Sequence, residues 1–319
     1  MSSLRSHLTR RVVAVVLAVV LAVGALGGLA VATDTLGAGY AFGRVLAHVN
    51  LFLNPPPDRA TVPTIQYTPP PSPSPSPSPE PSSSPQPSPS PGAPSPSPSP
   101  SPSPSPVRTP VDVQLALDPA TVFNHQITKE WCAPAGVQIV LAALGLVTND
   151  DATQRAIEAR IGEWEARSDS HDGGWGPSAM SLALAAYGAP GYEVRAYQLQ
   201  KDALRDAATA LTETGSPVLL IAWYGAHTWV MTGYRADADP VLFPDARVTG
   251  TYIYDPWYPW VSTIWGPSDP PGTFQDASEM VRNYKRWTRP EGHYPGRDGL
   301  YIAVVPTVPT HPLESAPPG

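Results

Sequence analysis

The sequence predicts an α+β domain in which N-terminal helices pack on an antiparallel sheet. Three observations predict it. From Cys132 to Gly215 apolar residues recur at helical spacing; from Pro217 to Val305 they fall into short runs rich in Val, Ile, Tyr and Trp; and 20 of the 43 prolines crowd into one tract, 68–110, well before both. Helical patterns followed by strand patterns describe helices grouped on a sheet rather than alternating βαβ units.

Taken in order, "CAPAGVQIVLAALG" reads as the first helix and ends at Gly145, a natural C-cap. "NDDATQRAIEARIGEWEAR" opens on capping Asn and Asp residues and reads as a second. "GPSAMSLALAAYG" places Pro177 in a first turn and stops at Gly188. "QKDALRDAATALTETG" is a fourth helix. The period then changes: "PVLLIAWY", "HTWVMTGY", "VTGTYIYD" and "LYIAVV" are strand-like runs bounded by Gly, Pro and Asp.

Ahead of this domain the chain reads "MSSLRSHLTRR" and then the uncharged apolar run Val12 to Ala32. A run of that length can cross a bilayer as a helix. Arg5, Arg10 and Arg11 precede it and no Lys or Arg follows until Arg44, so the basic flank is expected in the cytoplasm and everything downstream outside. The alternative is cleavage after Ala30-Val31-Ala32 and secretion, but the run exceeds an ordinary signal-peptide core, which favours an uncleaved anchor. Residues 68–110 are almost entirely Ser-Pro repeat; such a tract favours extended polyproline II and, at about 3.1 Å per residue, could reach on the order of 120 Å. The expected organisation is therefore 1–11 basic cytoplasmic N-terminus, 12–33 membrane anchor or signal segment, 34–67 juxtamembrane segment, 68–110 disordered linker acting as a spacer, 111–306 globular domain, and 307–319 disordered Pro-rich tail.

Composition narrows the function. A formal charge of −7 argues against nucleic acid as a partner. One cysteine, Cys132, cannot form an internal disulfide. The sequence contains no HExxH, no CxxC, no P-loop and no dinucleotide-binding glycine fingerprint, so no metal or cofactor is expected.

What remains is nucleophilic chemistry. Cys132 sits where a polar segment gives way to a helix, and the unpaired N–H groups of a helix start favour an anionic thiolate. A nucleophile also needs a base, and the base an orienting partner. Of the seven histidines, His227 alone begins an expected buried strand; His7, His48, His125, His171, His293 and His311 lie in terminal, polar or Gly/Pro-rich stretches. Asp255 ends the strand "TYIYD". If the two strands pair across the intervening loop with partner numbers summing to about 482, His227 lies opposite Asp255 and the carboxylate can fix the imidazole tautomer. Gln126, six residues before Cys132, is placed to aim an amide N–H at an oxyanion beside the Cys132 backbone N–H.

The stretches "QITKEWCAPA", "GGWGPSAMSLALAAYG", "GAHTWVMTGY" and "YIYDPW" together resemble the papain-like cysteine peptidases, specifically the bacteriocin-processing, double-glycine-peptidase-like family. The resemblance spans nearly the whole globular domain. It implies a papain-like fold, a peptide or protein substrate, Cys132 as nucleophile, His227 as general base and acid, Asp255 as orienter and Gln126 as oxyanion donor. "CAPA" departs from the Gly or Glu that often follows the cysteine. The family's exporters join the peptidase to a transporter and ATPase; with one apolar segment and no P-loop, this sequence reads as a stand-alone domain moved to the cell exterior. Two other readings use the same residues: a transglutaminase-like acyltransferase, with Cys, His and Asp in the same order, and a surface binding module that keeps the fold without activity.

Overall fold

The computed structural model describes residues 49, 53, 55, 57–68, 106–170, 175–288 and 292–309. The apolar run from Val12, nearly all of the Ser/Pro tract and the residues after 309 lie outside these. Among the described residues no helix is long and apolar enough to cross a membrane. The chain forms two compact units, Met1–Arg59 with Ala166–Gly174, and Ala60–Glu165 with Trp175–Gly319. In the first, the N–H groups of Asp169 and Ser170 close a turn on Ala166 O. All the elements below belong to the second.

Its elements run β1 (Thr64–Gln66), β2 (Val111–Gln114), α1 (Pro119–Val122), α2 (Cys132–Ala143), α3 (Asp151–Glu158), α4 (Pro177–Ala186), β3 (Tyr192–Tyr197), α5 (Gln200–Thr214), β4 (Val218–Ala222), β5 (His227–Ala236), β6 (Val248–Tyr254), β7 (Val261–Ser262), β8 (Gly266–Pro267), β9 (Thr273–Asp276), α6 (Ala277–Asn283) and β10 (Tyr301–Pro306). The main sheet has the order β1-β3-β10-β4-β5-β6-β9, and β2 pairs with the part of β5 beyond β4. Every pairing is antiparallel except β1 with β3. The α+β reading therefore holds, with helices on both faces of the sheet.

Strand parity explains this. Leu219, Ile221, Val230, Ile302 and Val304 join α2 and α4 in one core. Val218, Leu220, Ala222, Trp229, Met231, Ala303 and Val305 join α5 and α6 in the other. A strand covered on both faces reads as an unbroken apolar run, as "VLLIA" does.

The helix ends follow their local chemistry. α2 stops where Gly145 takes φ +70°, with the Leu146 N–H reaching back to Leu141 O. α5 ends on Gly215 at φ +65°. The Asp150 side chain caps α3 by accepting from the Thr153 N–H, but α3 ends at Glu158, well short of the expected Arg167; a 3-10 turn at Ile161–Glu163 follows.

Two differences matter for function. The strand expected over Pro217–Tyr224 ends at Ala222, because Trp223 and Tyr224 adopt φ +51° and +64° and turn the chain. And Thr64–Gln66, assigned from sequence to the segment before the Ser/Pro tract, is already a strand of the sheet. It pairs with Val194–Ala196, the Val62 N–H donates to Ser178 Oγ at 2.7 Å, and Tyr67 packs 5.1 Å from the Tyr197 ring. The Ser/Pro tract thus runs between two strands of one sheet.

Candidate active site

Cys132 opens α2, whose residues Ala133 to Ala142 are all buried. A helix so apolar has no solvent face and is held by packing on all sides. Its approach to β5 depends on Gly136, one turn beyond Cys132 on the same face. A Cβ on Gly136 would lie 2.7 Å from Thr228 Cγ2, so only glycine lets α2 come this close to the strand that begins with His227. The thiol, partly exposed, lies 4.0 Å from the carbonyl oxygen of Ala226, the residue before His227, and is among the groups that favour a charged His227 imidazole.

His227 is 3% exposed, and its Nε2 lies 2.6 Å from Asp255 Oδ1. That leaves Nδ1 for Cys132. The expected register was off by two residues: β5 and β6 pair as Val230↔Tyr254 and Met231↔Ile253, a sum of 484, and the ladder stops there. Within the sheet His227 is paired with Ala222 of β4. Asp255 follows the end of β6, two places out of register with His227. Diagonal neighbours two residues apart share a face of a sheet, and a long side chain spans the gap. The contact forms by that route.

Asp255 is buried and well supplied with donors. Oδ1 also accepts the Trp257 N–H at 2.9 Å, and Oδ2 accepts the Ser268 hydroxyl at 2.7 Å. Burial works against its charge, but His227, Ser268 and the Trp257 N–H outweigh burial and hold the carboxyl below its ordinary value. For His227 burial disfavours the imidazolium; the Asp255 carboxylate, helped by Cys132, overcomes this and raises the pKa from 6.5 to about 9.

Aromatic rings enclose the pair. Trp223 stacks on His227 with centroids 4.0 Å apart, Trp265 stacks on the far face of Trp223 at 5.5 Å, and Trp257 stands edge-on to His227 at 6.2 Å. The left-handed backbone at Trp223 and Tyr224 turns the Trp223 ring onto the imidazole. It is retained by the Thr288 N–H on Tyr224 O and by Trp223 Nε1 donating to Asn283 Oδ1 at 3.0 Å.

Gln126 is fully buried. Its backbone N–H donates to Pro256 O at 2.9 Å, tying the loop before α2 to the residue after Asp255. Gln154, also fully buried, brackets it: Nε2 donates to His125 O at 3.1 Å and Oε1 accepts the Ile127 N–H at 2.8 Å. The Gln126 Nε2 spends one N–H on Thr128 O at 2.7 Å, while Oε1 has no hydrogen-bond partner among the described residues.

The structure thus brings Cys132, His227 and Asp255 together and fixes the Gln126 loop beside Asp255. Sequence reasoning missed Gly136, Trp223 and Ser268. Only "WYGAH", an aromatic pair before glycine and histidine, offered a local signal for any of them.

A helix-borne thiol near a buried, carboxylate-held imidazole, on a sheet covered by helices on both faces, is an arrangement suited to a cysteine peptidase. Residues 114–288, more than half of the chain, match the model of the Peptidase_C39 like family, and the chain belongs to that family. Among solved structures, one similar to it is the crystal structure of a double glycine motif protease from an AMS/PCAT transporter in complex with the leader peptide. That likeness has 16% identity and a TM-score of 0.32, and covers 62% of this chain and 99% of that one. No curated protein matches the chain.

Proposed function

We propose that the protein hydrolyses peptide bonds through a Cys132–His227–Asp255 triad. The observation that carries the reading is the 2.6 Å contact from His227 Nε2 to Asp255 Oδ1, which leaves the other ring nitrogen available to Cys132. Cys132, as thiolate, attacks the amide carbonyl carbon and forms a tetrahedral oxyanion. The second N–H of Gln126 Nε2, not used on Thr128, and the Cys132 backbone N–H stabilise that charge. His227 gives its proton to the leaving amine as the C–N bond breaks, leaving a thioester. It then takes a proton from water, whose oxygen displaces the thiolate and releases the acid. A peptide is the substrate class, in keeping with the family.

In the same reading the chain is held at the membrane by the apolar segment from Val12, with the peptidase domain outside the cytoplasm. Because Thr64–Gln66 is already part of the sheet, the Ser/Pro tract follows the first strand of the domain in sequence rather than preceding the domain.

The test is labelling of the full chain with a broad electrophilic cysteine-peptidase probe. Wild type is expected to be modified at Cys132, and His227→Ala to react at the rate of a free thiol. Equal rates in the two proteins would refute the triad.

A further inference from the structure

Ser268 lies beyond every motif that marks the site. It follows β8, thirteen residues after Asp255, and the β7–β8 hairpin folds the chain back so that its hydroxyl reaches Asp255 Oδ2 at 2.7 Å. The hairpin is itself braced. Ser262 Oγ accepts the N–H groups of Ile264 and Trp265 at 3.2 and 3.1 Å, the Ser268 N–H bonds to Trp260 O, and the Trp265 ring stacks on Trp223. Ser268 therefore arrives on a fixed arm.

The two carboxylate oxygens of Asp255 are supplied differently. Oδ1 has two donors, the His227 ring and the Trp257 N–H. Oδ2 has Ser268, in a residue only 6% exposed to water. A buried carboxylate oxygen without a donor favours protonation, and a protonated Asp255 no longer supports an imidazolium.

We propose that Ser268 is a positioning residue of the peptidase: its hydroxyl holds Asp255 ionised and turned toward His227, and so maintains the His227–Cys132 pair. This rests on the triad reading above. The β7–β8 hairpin is in consequence part of the catalytic apparatus, since it delivers Ser268 to Oδ2 and Trp265 to the Trp223–His227 stack.

The experiment measures alkylation of Cys132 by iodoacetamide against pH in the full chain, for wild type, Ser268→Thr, Ser268→Val and His227→Ala. Threonine and valine have the same shape and differ in the hydroxyl, so their comparison removes the effect of size. The valine variant is expected to move the acid limb of the profile upward by about one pH unit, roughly tenfold slower alkylation on that limb, while threonine keeps the wild-type limb. A merely structural serine would lower the unfolding temperature and leave the limb in place. Superimposed valine and threonine profiles, with His227→Ala still distinct from wild type, overturn the role of Ser268 alone. If His227→Ala itself follows wild type, the triad reading fails and this inference fails with it.

Discussion

Replacing Asp255 with Asn keeps the shape of the side chain and removes its charge. In the native protein burial disfavours the His227 imidazolium, yet the carboxylate 2.6 Å away raises the pKa from 6.5 to about 9. Without the carboxylate only the smaller help from Cys132 opposes burial, the largest cause, and the pKa falls toward its ordinary value. The change is on the order of 2.5 units, which at 1.36 kcal/mol per unit is about 3 kcal/mol of imidazolium stabilisation. Because the folded-state value lies above the unfolded one, this stabilisation is complete below pH 6.5 and fades as pH rises through about 9. NMR titration of the histidine rings in the full chain, with His227→Gln to assign the signal, reads the pKa directly. Thermal unfolding at pH 6 and pH 9 reads the linkage: wild type loses stability across that interval, and Asp255→Asn does not. A His227 pKa in Asp255→Asn within about half a unit of wild type would refute the argument.

Other substitutions test how the site is positioned. Gly136→Ala sets a methyl 2.7 Å from Thr228 Cγ2 and should cost about 1–3 kcal/mol in thermal or denaturant unfolding, with slower labelling of Cys132; adding Thr228→Ser, which removes that methyl, should recover most of both. Gln154→Ala removes three hydrogen bonds, to His125 O, Gln138 Oε1 and the Ile127 N–H, and should cost about 3 kcal/mol while loosening the Gln126 loop, seen as faster amide exchange at Ile127. Inserting a protease site into the Ser/Pro tract and cutting there should leave the fragment bearing Thr64–Gln66 bound to the domain, because β1 is paired in the sheet; its release on gel filtration would contradict that pairing.

Much of the site was legible because its parts carry local signals. Cys132 precedes a helix closed by a glycine, and His227 and Asp255 mark the ends of two strand patterns. α2, α4 and α5 fall where the periodicity, Pro177, Gly145 and Gly215 indicate. What the sequence concealed depends on contacts made only in the folded chain. β3, "YEVRAY", lies between two helices, and its charged residues obscure an alternation that appears once β10 pairs with it. β1 is three residues long and owes its existence to a partner more than a hundred positions away. The β5–β6 hairpin closes at Ala236↔Val248, a register that sets His227 and Asp255 two places apart, and the diagonal geometry of a sheet face kept them in contact. The turn at Trp223 and Tyr224 runs against the β propensity of both residues, and is held by Thr288, Asn283 and the ring stack. Ser268 has no motif at all, since a hairpin carries it to Asp255.

The most direct measurement of the central claim is mass spectrometry of a mixed peptide pool incubated with the full chain and with Cys132→Ala, with a primary amine probe included. Hydrolysed peptides that depend on Cys132, without incorporation of the amine, are the predicted result. Amine incorporation without hydrolysis would make the protein a transglutaminase-like acyltransferase, and peptides left intact by wild type would contradict a peptidase altogether.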